Sequence, residues 1–351
     1  MSNSRFSRME EEFEQYDRGE ARLNAIRDAM READQEKDLE WQFWFRYDYL
    51  EESIFSGDRY YALIIFPELM QLFDANPALQ DDGRCSHSLL IAFKWIVEAA
   101  PEFPQISREQ IDGYFREFKK RLRREEKSLS IYYMKRSLFY MHVDMDIASM
   151  CFYRFLEEPL DDISDGKALF HDQQVIYYLA VDEYEKAKQA ARPIFDGKLR
   201  PNSLPQATYL DFVRYYMLHD RIDDALRCAK IILPRVNGDP YYHDAIGLLM
   251  TLYSVHDLPQ AVSLFQRNFP DYLESKNPWL RVLFAMGAAH LFDALEQHPE
   301  QMAKLRLPQN ADPAETAAQI RRTARDLAEK FDARNGTDDF MTMLQSPFGK
   351  E

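Results

Sequence analysis

Only three of the 351 residues are cysteine and only 11 are glycine. Cys85, Cys151 and Cys228 are odd in number and far apart, so neither a disulfide framework nor a zinc site follows from their spacing. All three sit in or beside helical patterns and read as small core residues. So little glycine leaves the chain without the usual material for tight hairpins and phosphate-cradling loops. Long apolar runs are also missing: no stretch approaches the roughly 18 residues that a spanning helix needs. The segment Met1–Glu12 is polar and charged, without the apolar region of a secretory signal, so a cytoplasmic location and no membrane are expected. Sustained apolar/polar alternation is lacking too, which excludes a substantial sheet. No G-x-G-x-x-G, P-loop, G-x-S-x-G or H-E-x-x-H pattern occurs, so the common cofactor-loop, nucleophile and metalloprotease signatures are missing.

Apolar residues are plentiful, at 46%, and aromatics reach 14%, with 24 Phe and 20 Tyr. Rings in that number must bury themselves between helices. Formal net charge is -15, with a pI near 5.1. An acidic surface repels a phosphate backbone, which disfavours nucleic acid as a partner, and it suits a basic protein or peptide.

Helical periodicity runs along almost the whole chain. Residues 38–55 form an amphipathic helix with Leu39, Trp41, Phe43, Trp44, Tyr47 and Leu50, followed by a turn at Ser56-Gly57-Asp58. The next helix carries Tyr61, Leu63, Ile64, Phe66, Leu69, Met70 and Phe73, with Asp58 as its N-cap, and stops at Asn76-Pro77. Further pairs are expected at 86–99 with 107–126, 129–142 with 144–157, 168–180 with 182–195, 205–218 with 221–234, and 240–255 with 258–273. A last pair, 278–297 with 312–333, spans a longer loop; a charged helical segment, 6–34, precedes the first pair, and a short helix is expected at 338–345.

Two ladders mark a repeat. The second helices align on a small residue at Ala62, Gly113, Ala148, Ala187, Ala225 and Ala261, with the last steps 35, 39, 38 and 36 residues. Asp58, Asp144, Asp182, Asp220 and Asp257 lie shortly before as capping or turn residues. In the first helices Phe139, Tyr177, Tyr215 and Tyr253 recur every 38 residues. Stacked helix pairs, each burying a face that it cannot bury alone, leave this mark. A small residue followed four places on by an aromatic, as in Ala62 with Phe66, Ala148 with Phe152 and Ala261 with Phe265, resembles the second helix of the tetratricopeptide repeat family over residues 38–273. Ala187 with Ala191 and Ala225 with Ala229 keep the small residue without the aromatic, and the family's Leu-Gly pair is missing. The resemblance implies an all-α, right-handed superhelical solenoid whose first helices line a concave groove. Residues 1–37 would precede it as a charged helical segment, and residues 274–351 would follow as capping helices and tail.

Chemistry-bearing clusters are few. Cys85 with His87, His290 with Asp293 and His298, and His142 with Asp144 and Asp146 lack the convergent set that a metal or a catalytic pair requires, so each reads as structural and no metal or cofactor is expected. The run Arg116 to Arg124 concentrates positive charge on a helix anchored by Phe115, Phe118 and Leu122, and reads as a solvated outer face.

The aromatics offer more. Trp41, Phe43, Trp44, Phe45, Tyr47 and Tyr49 crowd one helix, which must either be buried on several sides or offer rings to a ligand. Tyrosine doublets recur at 60–61, 132–133, 177–178, 215–216 and 241–242. Neighbours on a helix lie about 100° apart, so one ring can pack inward while the other approaches the groove. Trp41, Trp44, Tyr47, Tyr133, Arg136, Tyr177, Arg214 and Tyr215 are the candidate partner-binding residues. The expected function is a non-catalytic protein- or peptide-binding repeat, in the manner of a toxin-neutralising protein or a peptide-responsive regulator. An enzyme or accessory subunit with its active site on the concave face is the alternative.

Overall fold

The computed structural model describes residues 4–57, 59–199, 203–308 and 311–349, and among them helix is the only regular secondary structure. Asp58, expected to cap the second helix, lies outside the described residues. The chain divides into two compact units, residues 1–136 with 154–164, and residues 137–153 with 165–351. This division falls inside the stretch 38–273, where hydrophobic periodicity runs on without a break.

The first unit contains α1 (Ser4–Phe13), α2 (Glu20–Glu36), α3 (Leu39–Phe55), α4 (Tyr60–Ala75), α5 (Pro77–Gln80), α6 (Gly83–Ala99) and α7 (Arg108–Arg124). Two helices, α8 (Ser130–Tyr140) and α9 (Met145–Glu157), each contribute to both units. The charged helical segment expected over 6–34 consists of two helices, and α2 starts after Gly19, whose φ of 137° no helix accommodates. The break is pinned by Glu52, which is buried, accepts from the Gly19 amide at 2.8 Å and faces Arg22 at 3.3 Å and Arg18 at 3.5 Å.

Helix boundaries follow local chemistry. Asp38 caps α3 by accepting from the Trp41 amide. Ser107 and Gln110 form a reciprocal capping box that starts α7. Crowding of rings on α3 has a packing explanation: Trp41 and Phe45 face Phe6 of α1, Phe43 faces Phe73 of α4, and Tyr47 and Phe55 face Trp95 of α6. A helix walled in on three sides needs apolar groups all round.

The second unit continues with α10 (Lys167–Ala180), α11 (Tyr184–Phe195), α12 (Gln206–Leu218), α13 (Ile222–Val236), α14 (His243–His256), α15 (Leu258–Glu274), α16 (Pro278–Glu296), α17 (Pro299–Met302), α18 (Pro313–Asn335) and α19 (Asp339–Gln345). Helices α10 and α11, α12 and α13, and α14 and α15 are antiparallel hairpins, and the first helices pack in succession, α10 on α12, α12 on α14 and α14 on α16. Both ladders are structural here. Phe139, Tyr177, Tyr215 and Tyr253 are all buried, and so are Ala148, Ala187, Ala225 and Ala261. In the first unit Ala62 is buried likewise, but Gly113 is only half-buried and a methyl there would meet nothing closer than 3.8 Å. Gly113 is therefore no close-packing position, which corrects its place in the alignment.

The aspartates divide by role. Asp144 and Asp257 are caps, accepting from the amides of Ile147 and Gln260. Asp182 and Asp220 instead close the α10–α11 and α12–α13 turns at φ 59° and 53°, with the following amides returning to Tyr178 and Tyr216 carbonyls at 2.8 Å in both. A side chain in the left-handed region costs energy that glycine avoids. Asp220→Gly is expected to stabilise by about 0.5–1 kcal/mol in thermal or urea unfolding. Asp182→Gly is expected to destabilise, because its carboxylate accepts from the Tyr215 hydroxyl at 2.6 Å and lies 3.2 Å from His219 Nε2.

Backbones approach closely at the crossing of α14 and α16. A methyl on Gly247 would lie 2.1 Å from the Leu283 carbonyl oxygen, and one on Gly287 would lie 2.0 Å from the Gly247 carbonyl oxygen. The two backbones touch because neither residue has a side chain. Among the described residues no helix is long and apolar enough to cross a membrane.

Candidate functional site

The eight candidate residues divide between the units. In the first, Trp41 is buried under α1, while Trp44 packs edge-on to Phe43 and Tyr47 beneath the Arg84 guanidinium. Tyr47 lies against Trp95, and burial, followed by the neighbouring Glu51 and Asp48 carboxylates, pushes its hydroxyl pKa up. Tyr133 is half-buried with the Lys119 ammonium 5.3 Å from its ring, and Arg136 lies 4.0 Å from Asp112. These rings are engaged in packing their own unit. The positive run on α7 is not wholly an outer face, since Arg121 is buried, with its guanidinium 2.7 Å from Asp74 and 2.9 Å from Glu117.

In the second unit Tyr177 and Tyr215, both groove candidates from the sequence, are buried. Tyr177 stacks on Phe152 of α9 at 3.7 Å, and Tyr215 stacks on Tyr184 of α11 at 5.4 Å. Both of these rings thus seat on a ring from the second helix of the preceding hairpin. Packing between hairpins takes up the ring area that would otherwise face a ligand. The Tyr215-Tyr216 doublet does not split inward and outward, because both rings are buried and the Tyr216 hydroxyl meets that of Tyr184 at 3.0 Å.

Arg214 has a different setting. It lines a cavity of about 450 Å³ in the second unit, in the size range of small-ligand pockets. The walls come from the turn before α9, from α12, α14 and α16, and from α19 with its flanks. Leu248, Leu283, Met286 and Met343 supply apolar surface. His142, Arg214, Asp244, His290 and Asp339 supply the polar groups. The Arg214 guanidinium has no hydrogen-bond or ion-pair partner among the described residues. His290 Nε2 is buried without a partner.

The electrostatics sort these groups. His142 has a side chain about one-third exposed, to the cavity it lines, and its Nδ1 lies 3.9 Å from Asp339. Loss of hydration, followed by the Arg214 and Arg334 charges, lowers its pKa to about 4. The imidazole is therefore neutral at pH 7 and the Asp339 contact is no salt bridge. In NMR titration His142 is expected to titrate near pH 4. A histidine whose pKa is depressed by folding contributes stability above its unfolded value near 6.5, and this contribution is lost as pH falls towards 4. Burial likewise lowers the His290 pKa against the opposing pull of Asp293. Behind Arg214, Asp211 is raised by burial first and by Asp172 second, so it resists ionisation at neutral pH. Asp172 itself is raised by burial and accepts from Thr208 Oγ1 at 2.5 Å.

Reading the sequence as structural at His142 and His290 therefore missed their common cavity. They are 148 residues apart, and nothing in local spacing joins them. The remainder of that histidine group is structural: Asp293 pairs with Arg321, and His298 lies 3.4 Å from Glu300. Among the described residues no group of three or more His, Cys, Asp or Glu side chains is placed to hold a metal ion. Comparison with known proteins leaves these residues to speak for themselves: no family model, no curated protein and no solved structure matches the chain.

Proposed function

We propose that this protein is a peptide- or protein-binding repeat protein, with consecutive hairpins stacked in the tetratricopeptide manner and recognition on the first helices of the second unit. The observation that carries this reading is the cavity where α12, α14 and α16 meet α19, with a guanidinium on its wall that no described residue meets in a hydrogen bond or ion pair. A buried or half-buried cation without a partner costs desolvation, and an incoming ligand group can recover that cost. Three of the walls, from α12, α14 and α16, are packed helices, so little ordering entropy opposes binding on those sides. A net charge of -15 speeds encounter with basic ligands. Toxin neutralisation and peptide-responsive regulation both fall within this reading, and binding rather than turnover is the role proposed.

The test is affinity selection from a proteolytic digest of a whole-cell extract, read by mass spectrometry. Retained peptides are expected with wild-type protein and are expected to be lost with Arg214→Glu. They should persist with Ile231→Glu, a change at an exposed position on α13. Retention that ignores Arg214→Glu, or conversion of a retained peptide to product, overturns the reading.

A further inference from the structure

We infer that the cavity takes a short zwitterion, a free dipeptide or comparably small amino acid derivative with apolar side chains, its carboxylate on Arg214 and its ammonium on the Asp244–Asp339 side. This deepens the binding reading above and rests on it.

Size comes first. About 450 Å³ is enough for two apolar residues and too small for an extended segment of six or more. Polarity comes second. Arg214 is the sole Arg or Lys among the described residues lining the cavity, and it is matched there by Asp244, Asp338 and Asp339. A simple anion would gain Arg214 and lose to three carboxylates, whereas a simple cation would leave Arg214 uncompensated. A ligand carrying both charges satisfies both poles. Neutral His142 adds no positive charge, and buried His290 Nε2, still without a partner, is able to hydrogen-bond a ligand amide or carboxylate. Third, Leu248, Leu283, Met286 and Met343 leave apolar wall between the poles, and methionine adapts to side chains of different shape.

Arginine presents two parallel N–H groups to a carboxylate, so a lysine substitute would keep charge while losing that geometry. Discrimination against a blocked terminus should be large, because blocking leaves a desolvated charge unpaired.

The test uses the full chain and a mixture of dipeptides built from Leu, Ile, Val, Met and Phe, in free, N-acetylated and C-amidated forms. Thermal shift selects a binder, and calorimetry then measures it. A free dipeptide is expected to bind, with acetylation or amidation each weakening it by at least tenfold. In Arg214→Ala the preference for free acid over amide should vanish, and in Asp244→Asn with Asp339→Asn the preference for free amine over acetyl should vanish. Circular dichroism and unfolding midpoints confirm that the variants are folded. Equal binding of free and capped forms, or no binding of any form to wild type, overturns the inference. In either event, Arg214-dependent retention of longer peptides in the digest experiment would leave the broader reading standing.

Discussion

Gly287→Ala is expected to destabilise the second unit by about 3 kcal/mol or more, with Gly247→Ala close behind. Unlike at Gly238, where it would meet the flexible Arg267 side chain, here the new atom meets backbone that cannot rotate away. It would stand 2.0 Å from the Gly247 carbonyl oxygen in one case and 2.1 Å from the Leu283 carbonyl oxygen in the other. Relief requires α14 and α16 to part by more than an ångström along a crossing that also carries Phe284, Ala285 and Ala288, all fully buried. At roughly 2–4 °C per kcal/mol for a body of this size, the unfolding midpoint should fall by about 6–12 °C. Glycine is otherwise a poor helix former, so a Gly→Ala change in mid-helix normally stabilises by about 0.5–1 kcal/mol. The sign of the measured change is therefore decisive, and a gain at either position would contradict the described crossing.

The second large effect concerns α19. Phe340 is fully buried, stacked on Phe331 at 4.7 Å and edge-on to Trp279 at 5.3 Å. The helix start is held by Asp332, whose two carboxylate oxygens accept from the amides of Phe340 at 3.0 Å and Met341 at 2.9 Å. Truncating a buried phenylalanine to alanine costs about 3–5 kcal/mol when the surroundings stay put. A seven-residue helix held mainly by one ring can instead detach alone, as a local opening with its own free energy. Phe340→Ala is accordingly expected to raise amide exchange over Phe340–Gln345 by about two orders of magnitude or more, at roughly tenfold per 1.4 kcal/mol. Asp332→Ala should act in the same direction with about 1–3 kcal/mol, from one buried and one half-buried amide left without their acceptor. Exchange unchanged in both variants would mean that α19 is held by something other than this ring and this carboxylate.

Much of the helical architecture was legible because local chemistry and periodicity agree in this chain. Helices expected at 168–180, 205–218 and 278–297 are found at Lys167–Ala180, Gln206–Leu218 and Pro278–Glu296. The stop expected at Asn76-Pro77 is a boundary signal whose energetics are short-range, and α4 ends there at Ala75. The ring ladder of Phe139, Tyr177, Tyr215 and Tyr253 is buried throughout, and two of its members, Tyr177 and Tyr215, are among the groove candidates read from the sequence. A tyrosine that packs between hairpins and one that waits for a ligand occupy the same helical phase, and only the neighbouring helix decides between them. Tyr184 on α11 makes that decision for Tyr215.

The cavity was not legible. Its polar groups come from positions 142, 214, 244, 290 and 339, and each taken singly resembles an ordinary helix residue. Arg214 and Tyr215 are neighbours in sequence and both groove candidates, yet adjacent positions on a helix face different ways: Arg214 lines the cavity and Tyr215 is buried against Tyr184. Gly247 and Gly287 gave no signal either, since a lone glycine in a helical pattern usually marks weakness rather than contact.

Those two glycines also form part of the cavity wall. Over that portion the boundary is main chain, so its position is set by how closely two helices can approach and not by side-chain choice. Mutation can reshape the chamber at Leu283, Met286 or Met343, where atoms can be added or trimmed. It cannot narrow the chamber at the crossing without prising the unit apart. Evolution or engineering of ligand preference therefore has a rigid frame and adjustable furnishings, and selection for a different ligand should leave 247 and 287 untouched while it rewrites the others.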